Sequence, residues 1–161
     1  MLEAAYPPVA ELLPHRGPAV LLERVLEHDT QRTVCAVDPA AGAAMRDADG
    51  SIPAAFGLEF MAQTVAAHGG LLDRAGHREP RPGFFLGSRR LTFHAARFEP
   101  GQLLEVEVKH IRGNVDRGSG MLAFDCALRT AGEGAVMVSG VLTVYLLESF
   151  AALDRDFASD D

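Results

Sequence analysis

Residues 52–70, IPAAFGLEFMAQTVAAHGG, constrain the fold more than any other part of the chain, because they read as a helix that is apolar nearly all the way round. The following GLLDRAG extends the pattern to about residue 75, where Gly76 is placed to end it. A helix without a polar face has to be covered on several sides. Its first turns nevertheless carry a carboxylate, Glu59.

The rest of the chain supplies the cover. Residues 9–13 fit a short amphipathic helix entered through Pro7-Pro8, and PAVLLERVLEHD and RTVCAVD fit a strand pair. Residues 39–55, rich in Ala, Gly, Asp and Pro, read as a loop with at most a helical turn. From Pro82 the period changes to alternation. GFFLGSRRLTFHAARF is predicted as one long strand, ended by the turn Glu99-Pro100-Gly101. In QLLEVEVKHIR, Leu104, Val106 and Val108 share one face while Glu105, Glu107 and Lys109 share the other. Residues 113–120 form a loop, Leu122, Phe124, Cys126 and Leu128 face inward on the next strand, and a Gly132-Glu133-Gly134 turn leads to AVMVSGVLTVYLLE. Two strands, a buried helix and four strands in meander order predict an α+β domain in which a curved antiparallel sheet wraps one central helix, the hotdog fold. The domain spans residues 1–150, and the acidic tail of residues 151–161 is expected to fray.

Bulk properties exclude several function classes. The net charge of -7 gives nucleic acid no positive field to bind. Cys35 and Cys126 lie in predicted strands without metal-ligand spacing or a disulfide pattern, and read as reduced core residues. No Gly-rich strand-to-helix turn or His/Cys cluster offers a metal, flavin or nicotinamide site. With neither a basic leader nor an uncharged apolar run long enough for a span, the expectation is a soluble cytoplasmic protein. Open sheet edges favour association, so a homodimer or higher oligomer is expected.

Three stretches carry a family resemblance. ELLPHRGPAVLLERVLEHD is similar to the opening of the 3-hydroxyacyl-ACP dehydratases of fatty-acid synthesis. IPAAFGLEFMAQ resembles their helix start, with Pro53 six residues ahead of Glu59 and with Ala62-Gln63 after it. LGSRRLTFHAARFEPGQLLEVEV is similar to the strand, Pro-Gly turn and strand that come next. FGLEFMAQTVAAHGG and GFFLGSRRL are most similar to the dehydratase-like subfamily of aryl polyene pigment pathways (ApeP-like). The resemblance implies acyl thioester substrates carried on the phosphopantetheine of an acyl carrier protein or on CoA, and no other cofactor. It makes Glu59 the general acid.

Dehydration of a 3-hydroxyacyl thioester needs a base for the α-proton, an acid for the departing hydroxyl, and donors for the thioester oxygen. A carboxyl on a buried helix is expected to be desolvated and to keep its proton near neutral pH. Phe56 and Gly57, at the helix start, would present backbone N–H groups and the positive dipole end to a carbonyl, with Gly57 allowing close approach. Equally, Glu59 complements the helix dipole and can bond Gln63 one turn on, without any catalytic part. The family's base is a histidine fourteen residues before the carboxylate, in a Gly-His-Phe-Pro-Gly stretch. Here that position is Met45, in AGAAMRDADG.

Three explanations stand side by side. A second hotdog chain supplies the histidine, as the family's sites take the two groups from different subunits; or His15 or His68 substitutes, although His68, nine residues beyond Glu59, faces largely elsewhere; or Glu59 activates water in a thioesterase. The chain would then be a dehydratase, a complementing subunit of a heteromer, or a hydrolase. Arg81, Arg89, Arg90 and Arg97 offer either a dock for an acidic carrier protein or a solvated strand face. Phe84, Phe85 and Phe93 line an acyl tunnel or belong to the core.

Overall fold

In the computed structural model of the chain, residues 5–38, 40–132 and 134–157 are described. The apolar helix forms over Gly57–Ala75 (α1) and ends at Gly76, whose N–H bonds back to the carbonyl of Leu72. It begins later than its periodicity predicts. Ile52–Pro53 instead makes a short strand (β3), because Pro53 is held extended and both residues pair with Arg97–Phe98 (β5); Ala54–Phe56 then form a 3-10 turn into α1. Residues 9–13 likewise make only a 3-10 turn, at Val9–Glu11.

The main sheet contains Leu22–His28 (β1), Arg32–Val37 (β2), Gly83–Phe93 (β4), Leu104–Arg112 (β6), Gly120–Thr130 (β7) and Val136–Leu146 (β8). Its antiparallel order is β1-β2-β6-β7-β8-β4. β6, β7 and β8 are the expected meander, but β4 closes on β8 rather than on β6. The long strand predicted over residues 83–98 is also two strands. It breaks after Phe93, where the His94 N–H turns back to the Met137 carbonyl at 2.8 Å and residues 97–98 leave to pair with β3. Beyond β8, residues 150–157 form a short helix (α2, Phe150–Phe157) where a fraying tail was expected. Glu133 of the predicted turn and residues 158–161 of the tail lie outside the described residues.

α1 packs on β1, β2, β6 and β7, leaving β8 and β4 beside it. Leu104, Val106 and Val108 of β6 and Leu122, Phe124, Cys126 and Leu128 of β7 are buried under it, as alternation predicts. Phe84, Phe85 and Phe93 are not core in this chain: each is exposed on β4. Cys35 and Cys126 are free and buried, and burial pushes both thiols up to about 12, so they remain protonated at neutral pH.

Two polar devices fix the helix in place. Thr33 of β2 holds His68 of α1, Oγ1 to Nδ1 at 2.8 Å, and the same hydroxyl lies 2.8 Å from Nδ1 of His28. A hydroxyl has one hydrogen to donate, so one of the two imidazoles must donate to it. His68 is buried between His28 and Phe124, with Nε2 unpartnered, and desolvation, aided by the nearby His28 and His110, lowers its pKa to about 4. Further toward the C-terminus of α1 the buried Asp73 accepts from the Arg81 guanidinium at 2.6 and 2.9 Å and from Arg78 at 3.2 Å, while Arg81 also donates to the Val115 carbonyl. That network ties the helix end to the loop before β7.

Asp73→Ala leaves a buried guanidinium without its carboxylate and is expected to cost about 3–5 kcal/mol in denaturant unfolding. His68 gives a pH signature. Its folded pKa lies below the unfolded value of 6.5, so between pH 6.5 and about 4 the unfolded chain binds a proton that the folded chain refuses. Stability is therefore full above pH 6.5 and falls by about 3 kcal/mol as the pH drops to 4. The His68→Leu variant should lack that part of the slope in urea titrations across this range.

Candidate active site

The Leu-Pro-His-Arg segment lies as a strap over the middle of α1, and three contacts hold it there. Gly70 faces the turn that precedes the strap: a Cβ on it would lie 2.8 Å from the Leu12 carbonyl oxygen, so only glycine permits this approach. Arg74 bonds Glu11 at 2.7 Å. Gln63 does most, because its buried side chain bonds the chain that follows the strap through two backbone groups. The Leu21 N–H donates to Gln63 Oε1 at 2.9 Å, and Gln63 Nε2 donates to the Ala19 carbonyl at 2.7 Å and to Glu59 Oε1 at 2.9 Å. The Leu21 donor leaves no choice about which end of the amide is oxygen. Arg16 stiffens the strap from outside, donating to the carbonyls of Leu13 and His15 at 2.7 Å.

This strap brings His15 to Glu59, with Nε2 to Oε1 at 3.3 Å. Glu59 Oε1 thus accepts from Gln63 and lies within ion-pair distance of His15 Nε2, and Oε2 has no partner among the described residues. Nε2 of the imidazole lies against the carboxylate, and Nδ1 is buried without a hydrogen-bond partner. Glu59 is not fully desolvated in the single chain, contrary to expectation: its side chain is 41% exposed, because α1 is left uncovered on this flank.

The other predicted residues separate. Gly57 packs closely on the sheet: its N–H bonds to the Ala54 and Ala55 carbonyls, and a Cβ would stand 3.2 Å from Phe98 and 3.4 Å from Leu128 and Val138. Phe56 beside it is 39% exposed, and Pro53 sits in β3. His68 is remote from Glu59, in its own cluster with Thr33 and His28. Met45 closes the 3-10 turn Ala43–Met45 and packs against the core. Of the four arginines, Arg81 is committed to Asp73 and Arg97 to Asp47 and Ser51, whereas Arg89 and Arg90 are exposed on β4. Phe85 belongs to the helix side of β4, in line with Val144 and the buried Leu122; Phe84 lies on the other face, in line with Tyr145 and Met121. Val138, which touches Gly57, is the β8 neighbour of Phe93. The uncovered strip of β4 therefore runs up to the first turn of α1, the turn that carries Glu59.

Gly70 and the bridging part of Gln63 were not read from the sequence. The signal for the first was the pair Gly69-Gly70 inside an otherwise strong helix. Among the described residues no group of three or more His, Cys, Asp or Glu is placed to hold a metal, and no helix is long and apolar enough to cross a membrane.

Comparison with known proteins places this arrangement. The family profile for ApeP dehydratase, ApeP-like, matches residues 7–154. A chain of the dehydratase heterocomplex ApeI:P from Xenorhabdus doucetiae superposes with a TM-score of 0.82 at 25% identity, covering 94% of this chain and 98% of that one. Zebrafish thioesterase superfamily member 2 (TM-score 0.59, 14% identity, 85% and 89% coverage) and a hypothetical thioesterase with coenzyme A from Streptococcus pneumoniae (0.54, 12%, 76% and 84%) share the fold. No curated protein matches in sequence.

The two glycines of the pair separate helix propensity from packing. Gly69→Ala, with nothing within 4 Å of the new Cβ, should stabilise the protein by about 0.5–1 kcal/mol. Gly70→Ala should destabilise it despite the same propensity gain, because the strap must lift off α1. Thermal melts of the two variants, with the His15 ring resonances followed by NMR, check both signs.

Proposed function

Because the chain belongs to the ApeP-like dehydratase family, we propose that it supplies the acid half of a two-chain dehydratase site acting on 3-hydroxyacyl thioesters. Glu59 protonates the departing hydroxyl through Oε2, and a histidine of a second hotdog chain removes the α-proton. The electrons of the broken C–H bond form the new double bond, the C–O bond breaks, and the hydroxyl leaves as water with the Glu59 proton. The product is the enoyl thioester. Its acyl group rides on the phosphopantetheine of an acyl carrier protein or on CoA.

One observation carries this reading: Gln63 bonds the Glu59 carboxyl at Oε1, on the side where His15 lies 3.3 Å away, while Oε2 stays open. A carboxyl fixed at one oxygen presents the other in a defined direction, which a general acid requires. The same geometry argues against His15 as the base. With Nε2 against the carboxylate and Nδ1 buried in the protein, neither nitrogen is free to meet a substrate carbon. Met45 at the family's histidine position leaves the base to another chain, and the similar Xenorhabdus protein is part of a heterocomplex. Such a chain, seated on the open flank of α1, would also complete the desolvation of Glu59.

Dehydration of a 3-hydroxyacyl carrier protein is measured with this chain alone and with a histidine-bearing hotdog chain of the ApeI type. Turnover is expected only in the mixture, and Glu59→Gln should lower it about 10²–10⁴-fold. Turnover by this chain alone, or hydrolysis to the free acid, contradicts the reading.

A further inference from the structure

The imidazole pair around Thr33 takes no part in the Glu59 site, yet it joins three segments of the chain. His28 of β1 makes T-shaped contacts with Tyr6 on one side and with His68 of α1 on the other, the ring centroids 6.4 and 5.4 Å apart. The Tyr6 hydroxyl accepts the His28 backbone N–H at 3.1 Å, and Thr33 Oγ1 lies 2.8 Å from Nδ1 of both imidazoles. Asp29 adjoins His28 in the turn after β1 and acts on its charge. Phe124 of β7 meets His68 at 5.6 Å, and His110 of β6 stands 5.3 Å beyond Phe124, its Nε2 bonded to the Arg112 carbonyl at 2.8 Å.

One unpartnered atom fixes where the hydrogens sit. His68 Nε2 is buried with no partner among the described residues. A buried N–H without an acceptor is rare in folded proteins, so Nε2 is the bare nitrogen and His68 carries its hydrogen on Nδ1, donated to Thr33. Thr33 turns its own hydrogen to Nδ1 of His28, which leaves the His28 hydrogen on Nε2. Solvent reaches His28, which is half-buried, before His68, which is 1% exposed. A proton added to His28 makes its Nδ1 a donor, and the Thr33 hydrogen has to turn away. The acceptor left in the triad is His68 Nδ1, once that nitrogen has released its own hydrogen.

We infer that His28, Thr33 and His68 form a proton-linked latch: a proton taken up by His28 reverses the hydrogen bonds of Thr33 and moves the His68 hydrogen from Nδ1 to Nε2, while His68 stays neutral. The His68 hydrogen leaves Nδ1 for solvent and another arrives at Nε2 when the site opens locally, so the net uptake is one proton. In the reversed state Nε2–H is a buried donor without an acceptor, and the tie between β2 and the helix that carries Glu59 is the weaker for it. Desolvation favours the closed state, because it lowers the pKa of His28 and holds that of the more deeply buried His68 at about 4. The folded His28 value lies below the ordinary 6.5, so the latch is closed above pH 6.5 and opens as the pH falls through that lowered value.

Long-range ¹H–¹⁵N NMR of the full chain labelled at histidine reads the charge and the hydrogen-bearing nitrogen of each ring, and is followed from about pH 8 to pH 5. At the upper end His28 should carry its hydrogen on Nε2 and His68 on Nδ1. As His28 charges, the His68 hydrogen should cross to Nε2 with the same midpoint. Thr33→Val, which removes the hydroxyl with little change of shape, and His28→Phe, at a half-buried position, should each abolish the crossover. Protection of the α1 amides around His68, corrected for the intrinsic pH dependence of exchange, should fall about tenfold over the same interval in the wild type and not in His28→Phe. A wild-type His68 that already carries its hydrogen on Nε2 at the upper end, or keeps it on Nδ1 while His28 charges, overturns the latch whether or not the variants fold. A crossover that survives in either variant does the same, and unchanged protection overturns the loosening of the helix.

Discussion

One buried amide holds the site together. Gln63 projects from α1 under the strap, takes the Leu21 N–H on its oxygen and gives its two hydrogens to Ala19 and Glu59. Each of these bonds is ordinary in strength, but a buried polar group left unpaired costs about 1–3 kcal/mol, so the strap cannot shift without exposing several such groups at once. The position of His15 follows from that constraint. So does the orientation of Glu59, whose Oε1 is taken and whose Oε2 is left without a partner among the described residues.

The second constraint is that the sheet is wider than the helix it wraps. Six strands curve past α1, and the helix packs chiefly on β1, β2, β6 and β7. What remains is an apolar edge strand with two arginines and a flank of helix on which the carboxylate is half-exposed. On the proposed reading the missing cover and the missing base come from one partner, and a structurally similar protein is part of a dehydratase heterocomplex.

Much of this was legible in the residues. Leu104, Val106 and Val108 announced their strand by alternation, and the apolar girth of α1 required the wrapping sheet. Glu59 was conspicuous because it is the charge within an apolar stretch. The missed features share a physical cause: they depend on pairings between distant segments. The break of β4 after Phe93 depends on where β3 pairs, and the closure of β4 on β8 depends on a long-range choice that local periodicity does not encode. Arg97 looked like a surface charge because its partner Asp47 is near only in the fold, and Arg81 because the turn after α1 that brings it back onto Asp73 has no periodicity to read. His15 was a candidate without a location until Gly70 and Gln63 fixed the strap. Burial of Glu59 was overestimated because an apolar helix reports that it must be covered, not whether its own chain does the covering.

The most direct measurement is the crystal structure of the assembled complex with a non-hydrolysable 3-hydroxyacyl thioester analogue bound. The expected result is an imidazole from the second chain at the α-carbon of the acyl group and the open Oε2 of Glu59 at its β-hydroxyl, with His15 and Gln63 still on the Oε1 side. A second chain that seals Oε2 against protein, or leaves it facing bulk water with no imidazole across from it, would contradict the assignment of Glu59 as the acid of a shared site.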